Sequence, residues 1–403
     1  MKIEQIQLIS ATVPILKEHG VLLTKHFYNR MFTHHPELKN MFNMGNQQSG
    51  KQQTALAMAV LAYAENIANP SVLMPVIDHI GHKHVSLDIR PEHYQIVGEH
   101  LIASIKEVLG EAASPAILDA WTAAYQQLAA VMSGNEAGLY EKKAAQLHGW
   151  TGWRPFIVRE KIVESAEITS FHLYPADAGH TMIHIPGQYI SVRTFIPEIN
   201  LYQARQYSIS STPNVDYYRI SVKREKGAAL DTNGLISNHL HDAVGLGDVI
   251  NLTAPAGEFK LDADLATPVV LISGGVGLTP MISMLQNLVA KDYSFPITWL
   301  HGCRNREVHA FKAQLDEIVN TCDYVEQTVF YDSATELDKQ EGIKEGFLDL
   351  KSLDVISSNP GANYYVCGPA AFIRKQYSDL IAMGVEKESI MFEEFGPALI
   401  QMN

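Results

Sequence analysis

The sequence predicts a multidomain chain: an all-α region, then an antiparallel β-barrel, then a doubly wound α/β domain. Three observations carry this reading. Apolar residues recur at helical spacing as far as residue 148, short β-branched segments crowd the next stretch, and from about residue 265 strands and helices alternate. A chain of 403 residues has room for two or three domains of ordinary size. The boundaries are expected at 1–148, 149–264 and 265–403.

The helical part is read from its period. "TALAMAVLAYAENIA" (54–68), "PEHYQIVGEHLIASIKEVLG" (91–110) and "SPAILDAWTAAYQQLAAVM" (114–132) place apolar residues at i, i+3, i+4 and i+7. Pro91 and Pro115 suit the first turn of a helix, and Gly110 suits a stop. After "GWTGWRPF" (149–156) the pattern changes. "RPFIVREKIV", "ITSFHLYP", "GQYISVRTF", "YYRISVKRE" and "DVINLTAPAG" are turn-bounded and close together, as in a small antiparallel barrel. Later, "TPVVLIS", "ITWLHGC", "VEQTVFY" and "YYVCGP" are strand-like and are separated by helical stretches such as "PMISMLQNLVAK". No internal repeat or low-complexity segment interrupts the chain.

Composition excludes several classes. With 46% hydrophobic and 19% charged residues the chain resembles an ordinary soluble protein. Its net charge of −13 argues against nucleic acid as a partner, because such binding relies on Lys and Arg neutralising phosphates. The N-terminus "MKIEQIQLIS" lacks the basic and apolar blocks of a signal peptide. Residues 265–290 carry no formal charge, but Pro268, Pro280 and a glycine run fit strand, turn and helix better than a transmembrane span. Cys303, Cys322 and Cys367 are widely spaced and odd in number, which points to a reduced, cytoplasmic protein.

Histidine is concentrated at the front of the chain. Ten of the 17 lie before residue 149, four of them in "VIDHIGHKHVSLDIRPEHY" (76–94). Taking residues 71–85 as one helix, with about 100° of rotation per residue, Leu73, Ile77, Ile80 and His84 share one stripe. His79 and His82 point about 140° and 160° away. They, with His93, are read as solvated surface groups. A single inward histidine does not make a zinc site, but it is what a haem iron needs.

In combination these residues resemble the flavohaemoglobin family. "HFYNRMF" places Tyr28 on the second helix, "LKNMFNMG" places Phe42 after a short helix, "KQQTALAMAV" places Gln52 and Leu56 on the next, and "HKHVSL" places His84 opposite them. The resemblance implies a globin in which His84 is the metal ligand of haem b and Tyr28, helped by Gln52, faces the bound gas. It also implies that Tyr94 and Glu136 form a hydrogen-bonded chain with His84. A carboxylate behind a ligating imidazole makes it more electron-donating. Lys83, beside the ligand, would tune the haem, and Phe42 and Leu56 would pack on it.

The rest of the chain matches the family's reductase. "RQYS" resembles the flavin signature R-x-Y-[ST]. It implies that Arg205 meets the pyrophosphate of FAD, that Tyr207 stacks on the isoalloxazine with Gln206 beside it, and that Ser208 bonds near the reactive ring nitrogen. Tyr189 of "PGQY" would lie by the adenine. "GLIS" supplies Gly234 and Ser237 as a second phosphate-contacting turn. "VVLISGGVGLTPM" is a strand, glycine turn and helix, with Gly274, Gly275, Val276, Gly277, Leu278 and Thr279 at the turn. Such a turn lets backbone N–H groups approach a pyrophosphate. "YYVCGP" adds Cys367, Gly368 and Pro369 as the second nicotinamide-side element. "FEEFGP" adds Glu393, Glu394, Phe395, Gly396 and Pro397, which in the family lie over the flavin. Arg304 and Arg306 fit either a 2′-phosphate contact or surface charge.

The function implied is a nitric oxide dioxygenase, an oxidoreductase that uses NAD(P)H and O2 to convert NO to nitrate through FAD and haem. The expected partners are O2 and NO, with a lipid conceivable in the apolar haem pocket. The chain is expected to be a cytoplasmic monomer with no transmembrane segment. Two other functions use the same parts. One is a flavin or haem reductase acting on peroxides, quinones or ferric complexes. The other is an oxygen or NO sensor or store, against which stands the lack of sequence left over for an output domain.

Overall fold

The structure, a computed structural model, describes residues 1–227, 233–262 and 264–396. The chain falls into two compact units. One holds Met1–Trp153 with Ser191–Arg205, and the other holds Arg154–Ile190 with the residues from Gln206 onward.

The first unit is built on α1 (Ile3–Ala11), α2 (Val13–His34), α3 (Met44–Gln48), α4 (Lys51–Glu65), α5 (Met74–Ser86), α6 (Pro91–Leu109) and α7 (Pro115–Ala145). Pro91 and Pro115 each open their helix. The Ser114 hydroxyl caps α7 by accepting the Ile117 N–H. Helix α2 is central because its buried residues, Leu23, Phe27 and Met31 with Tyr28 and Phe32 beside them, repeat every four positions. It packs on α4 and α6. Thr24 Oγ1 donates to the Gln53 carbonyl at 2.9 Å, which fixes where α4 begins against α2.

Three local expectations change. Residues 71–85 do not form one helix: Pro70–Leu73 is a 3-10 turn and α5 starts at Met74. The most buried positions of α5 include Ile77, Gly81 and Val85, with His84 half-buried at their edge. His79, His82 and His93 are half-buried too rather than freely solvated. The His93 Nδ1 accepts the Arg90 N–H at 2.9 Å and so helps close the start of α6. Finally, the helix read over 114–132 does not end there: α7 runs on unbroken to Ala145, and Glu136 is buried in mid-helix.

The barrel strands are β1 (Arg154–Val163), β2 (Ile168–Pro175), β3 (Tyr189–Ile196), β4 (Leu201–Ser208), β5 (Tyr218–Lys223) and β6 (Val249–Leu252), with α8 (Leu235–Asp242) between the last two. Their order in the sheet is β4-β3-β6-β1-β2-β5, and β1 pairs antiparallel with both β2 and β6. Part of the β3–β4 hairpin belongs to the first unit. There Gln203, fully buried, donates to the Lys39 carbonyl and accepts the Met44 N–H.

The remainder of the second unit alternates β7 (Val269–Gly274), α9 (Leu278–Ala290), β8 (Ile297–Cys303), α10 (Lys312–Thr321), β9 (Val325–Tyr331), α11 (Glu336–Gln340), β10 (Lys344–Glu345), α12 (Val355–Ser358), β11 (Asn363–Gly368), α13 (Ala370–Ala382) and β12 (Ile390–Glu394). The strands form a parallel sheet in the order β10-β9-β8-β7-β11-β12. Every residue of β7 is buried, as a central strand covered on both faces requires. The strand order reverses between β7 and β11, which is where doubly wound sheets open their ligand crevice.

Candidate functional site

In the first unit, two buried or half-buried polar groups stand out, each with polar partners from another helix. Tyr28 is 4% exposed. Its ring meets Phe42 edge-on at 5.7 Å and stacks with Phe32 at 5.9 Å. Burial pushes its hydroxyl up to about 12, against hydrogen bonds to the side chains of Gln52 and Gln47. The hydroxyl is therefore neutral and able to donate at ordinary pH. Leu56, one turn beyond Gln52 on α4, packs with Phe42 against the core containing Tyr28.

The second group is His84. Helices α5 and α7 approach closely at Gly81, where a Cβ would lie 2.7 Å from the Asn135 amide. That approach brings the His84 Nδ1 to 2.7 Å from Glu136 Oε1 and 3.0 Å from the Tyr94 hydroxyl. Tyr94 donates to the same carboxylate oxygen at 2.5 Å. Burial raises the Tyr94 hydroxyl strongly, and the charge of Glu136 raises it further. Glu136 is 2% exposed. With Nδ1 committed to a carboxylate, the imidazole keeps its Nε2 lone pair for a metal. Among the described residues no group of three or more His, Cys, Asp or Glu could hold an ion, so the donor set fits a haem iron with one axial histidine rather than a zinc site. Lys83 is half-buried in the last turn of α5.

Sequence reasoning missed three residues here. Gln47 reaches the Tyr28 hydroxyl from α3. Tyr125 donates to the Tyr94 carbonyl at 2.5 Å and Tyr140 to the Ile89 carbonyl at 2.7 Å. Both tyrosines lie on α7 with Glu136, spaced eleven and four residues from it. That helical spacing was the available signal.

In the second unit, Ser208 at the end of β4 is buried, with Gln206 and Tyr207 half-buried before it. Arg205, which falls in the first unit, is half-buried, and its Nη1 donates to the Ala204 carbonyl. The backbones of Tyr189 and Ala256 exchange both hydrogen bonds. Gly234 caps α8. A Cβ there would lie 2.6 Å from the Ser237 hydroxyl and 2.7 Å from Glu225 Cβ, so only glycine fits. Ser237 accepts the Glu225 N–H and donates to the Gly234 carbonyl. Its hydroxyl braces the turn, leaving the helix N–H groups as the natural phosphate donors.

Two more helices begin at the crevice of the parallel sheet. Gly275–Gly277 forms a tight turn from β7 into α9, where Leu278 and Thr279 are buried and Thr279 Oγ1 donates to the Val276 carbonyl. A Cβ on Gly277 would lie 2.2 Å from the Cys367 carbonyl, so the two loops touch backbone to backbone. Pro369 caps α13 directly after Gly368. Gly274 and Gly368 both lie under the Phe372 ring, a fourth residue that sequence reasoning did not single out. Burial holds the Cys367 thiol well above its ordinary range, with the charge of Glu393 adding to this, so it is an inert structural group. Glu393 and Glu394 lie opposite Cys367 and Gly368 in the sheet. Phe395 is 47% exposed, and the Gly396 N–H donates to the Glu394 carbonyl. Pro397 lies outside the described residues.

A helical domain with one committed histidine, an antiparallel sheet and a parallel-sheet nucleotide fold define a globin joined to an FAD- and NAD-binding oxidoreductase. Family models agree: the globin model matches residues 25–132, the oxidoreductase FAD-binding domain 155–261 and the oxidoreductase NAD-binding domain 271–377. A flavohemoprotein of Bordetella parapertussis is 50% identical over 393 residues, covering 96% of this chain and 97% of the relative. One from Rhizobium meliloti is 48% identical, covering 97% of each. The crystal structure of a flavohemoglobin from Malassezia yamatoensis with bound FAD and heme aligns with a TM-score of 0.83 and 25% identity, over 98% of this chain and 99% of that one. The FAD/NAD-binding domain of a nitric oxide dioxygenase from Vibrio cholerae is 38% identical, with a TM-score of 0.55, over 60% of this chain and 99% of that one. The chain belongs to the flavohaemoprotein family. Among the described residues no helix is long and apolar enough to cross a membrane.

Proposed function

We propose that this flavohaemoprotein is a nitric oxide dioxygenase, with 1–148 as the haem domain, 149–264 as the FAD domain and 265–403 as the NAD(P) domain. The haem and flavin, when bound, supply the redox chemistry that takes electrons from NAD(P)H and joins O2 to NO as nitrate. The chain's own residues supply the rest. His84 would hold the iron, and the 2.7 Å contact of its Nδ1 with Glu136 is the observation that carries the reading. An imidazole backed by a carboxylate donates electron density, which suits activation of O2 better than its reversible carriage. Tyr94 holds that carboxylate in place. Tyr28, steadied by Gln52, would offer its O–H as a hydrogen-bond donor to a gas held in the pocket. Arg205, Tyr207 and Ser208 bind and orient the flavin, with Tyr189 and the Gly234–Ser237 turn at its other end. The turns at Gly274–Thr279 and Cys367–Pro369 seat the nucleotide. Glu393 and Phe395 cover the flavin.

Phe42 and Leu56 make the gas side of the pocket apolar enough to accept a lipid chain. We read the protein as a cytoplasmic monomer whose partners are small molecules. The test is His84→Ala, which should lose haem and nitrate formation while FAD content and NADH-driven flavin reduction stay normal. His79→Ala and His82→Ala should keep haem. Aerobic NO consumption that survives in the haem-free His84→Ala protein would favour a plain reductase instead.

A further inference from the structure

The two arginines after β8 are a sequence feature that this function leaves unused. In a doubly wound sheet the turn after the first strand holds the pyrophosphate, and the end of the neighbouring strand faces the ribose beyond it. Here β7 is the first strand and β8 its neighbour, with Gly274 opposite Gly302. Arg304 and Arg306 follow at once. Free, they would make a ready fork for the 2′-phosphate of NADPH.

Neither is free. The Nε of Arg306 lies 2.6 Å from Asp338 Oδ1 and its Nη2 lies 2.5 Å from Glu341 Oε2. Arg304 Nη2 is bonded to Glu167. Asp338 is the fixed partner: its side chain is 3% exposed, and it accepts the Thr335 N–H at 2.8 Å and hydroxyl at 2.7 Å in the capping box of α11. Glu341 also has Lys312 Nζ at 3.7 Å. Asp332, just past β9, donates its N–H to the Cys303 carbonyl beside Arg304; burial raises its carboxyl and the charge of Arg304 opposes this. A 2′-phosphate entering here would meet arginines already neutralised and carboxylates it must displace. A ribose hydroxyl carries no charge and has no ion pair to displace.

We propose that Asp338, Glu341 and Glu167 are positioning residues for nucleotide choice: by holding Arg306 and Arg304 they make NADH the electron donor and disfavour NADPH. This rests on the reading of 265–403 as the nucleotide domain. The test measures kcat/KM for both nucleotides on the full FAD- and haem-loaded chain, with ferricyanide as electron acceptor. The unaltered protein should prefer NADH by about tenfold or more, and Asp338→Asn with Glu341→Gln should raise the NADPH value about tenfold while NADH changes less than about twofold. Glu341→Gln alone, at a half-exposed position, should give part of that gain without burdening the fold. Adding Arg306→Ala to the double variant should cancel it. Equal use of both nucleotides by the unaltered protein overturns the proposal. So does an unchanged NADPH-to-NADH ratio in Glu341→Gln and in the double variant. If neither nucleotide reduces the flavin, the nucleotide-domain reading itself fails and the proposal with it.

Discussion

The Tyr28 hydroxyl is a donor held in a dry place, and both properties are measurable. Tyr28→Phe should leave haem and FAD content normal, because the ring contacts with Phe32 and Phe42 remain. It should speed O2 release from the reduced, haem-loaded protein. One lost bond to a partly anionic ligand is worth roughly 1.5–3 kcal/mol, or about 10- to 150-fold, and nearly all of it should appear in the off-rate. Stopped-flow dissociation checks this. Gln47 and Gln52 share the hydroxyl, so Tyr28→Phe with Gln52→Leu should lose more than either change alone. An off-rate within about twofold of the unaltered protein in that double variant would mean that neither residue holds the ligand. The same burial predicts an alkaline effect. Tyr28 titrates from 10.0 when unfolded to about 12 when folded. Between those values the unfolded chain has lost a proton that the folded one keeps, so stability falls as pH rises through that window. Denaturant midpoints of the unaltered protein should fall relative to those of Tyr28→Phe as pH rises through that window. A midpoint gap that stays constant from pH 9 to about 12 contradicts the assignment.

At the scale of elements, close backbone approaches position the site, and these are hard to see in a sequence. Gly277→Ala should disrupt the contact of the α9 turn with the Cys367 carbonyl. Overpacking of that kind costs about 1–3 kcal/mol. NADH-driven flavin reduction should fall sharply while the haem spectrum is unchanged. Normal reduction kinetics would show that the two loops need not touch. The period of α6 and the prolines opening α6 and α7 were legible, because each is a local signal. The course of α7 was not. The helix read over 114–132 stops short of Ser133, Gly134 and Asn135, all weaker helix formers, yet α7 continues through them because Met132 and Glu136 are buried and α7 packs on α5 and α6. Tertiary packing overrides the weak local preference. For the same reason the place of Glu136 behind His84 came from the family resemblance and not from the local sequence. Gln47 was illegible in the same way, since it acts on a residue of another helix.

Over the whole molecule, the order of three folds was readable from the change in hydrophobic period, and the cofactors from short motifs with family resemblance. The partners of Arg304 and Arg306 were not, because Glu167, Asp338 and Glu341 lie 137, 32 and 35 residues away from them in sequence. The central claim is that electrons entering as hydride leave on nitrate. Converting NO and O2 to nitrate takes one electron, and NADH carries a pair. The most direct measurement is therefore the aerobic stoichiometry of NO consumed, nitrate formed and NADH oxidised by the haem- and FAD-loaded protein. The account predicts two NO and two nitrate for each NADH, with both dependent on O2 and absent in His84→Ala. NADH oxidation that proceeds without matching nitrate, or NO loss at an equal rate in the haem-free protein, would contradict it.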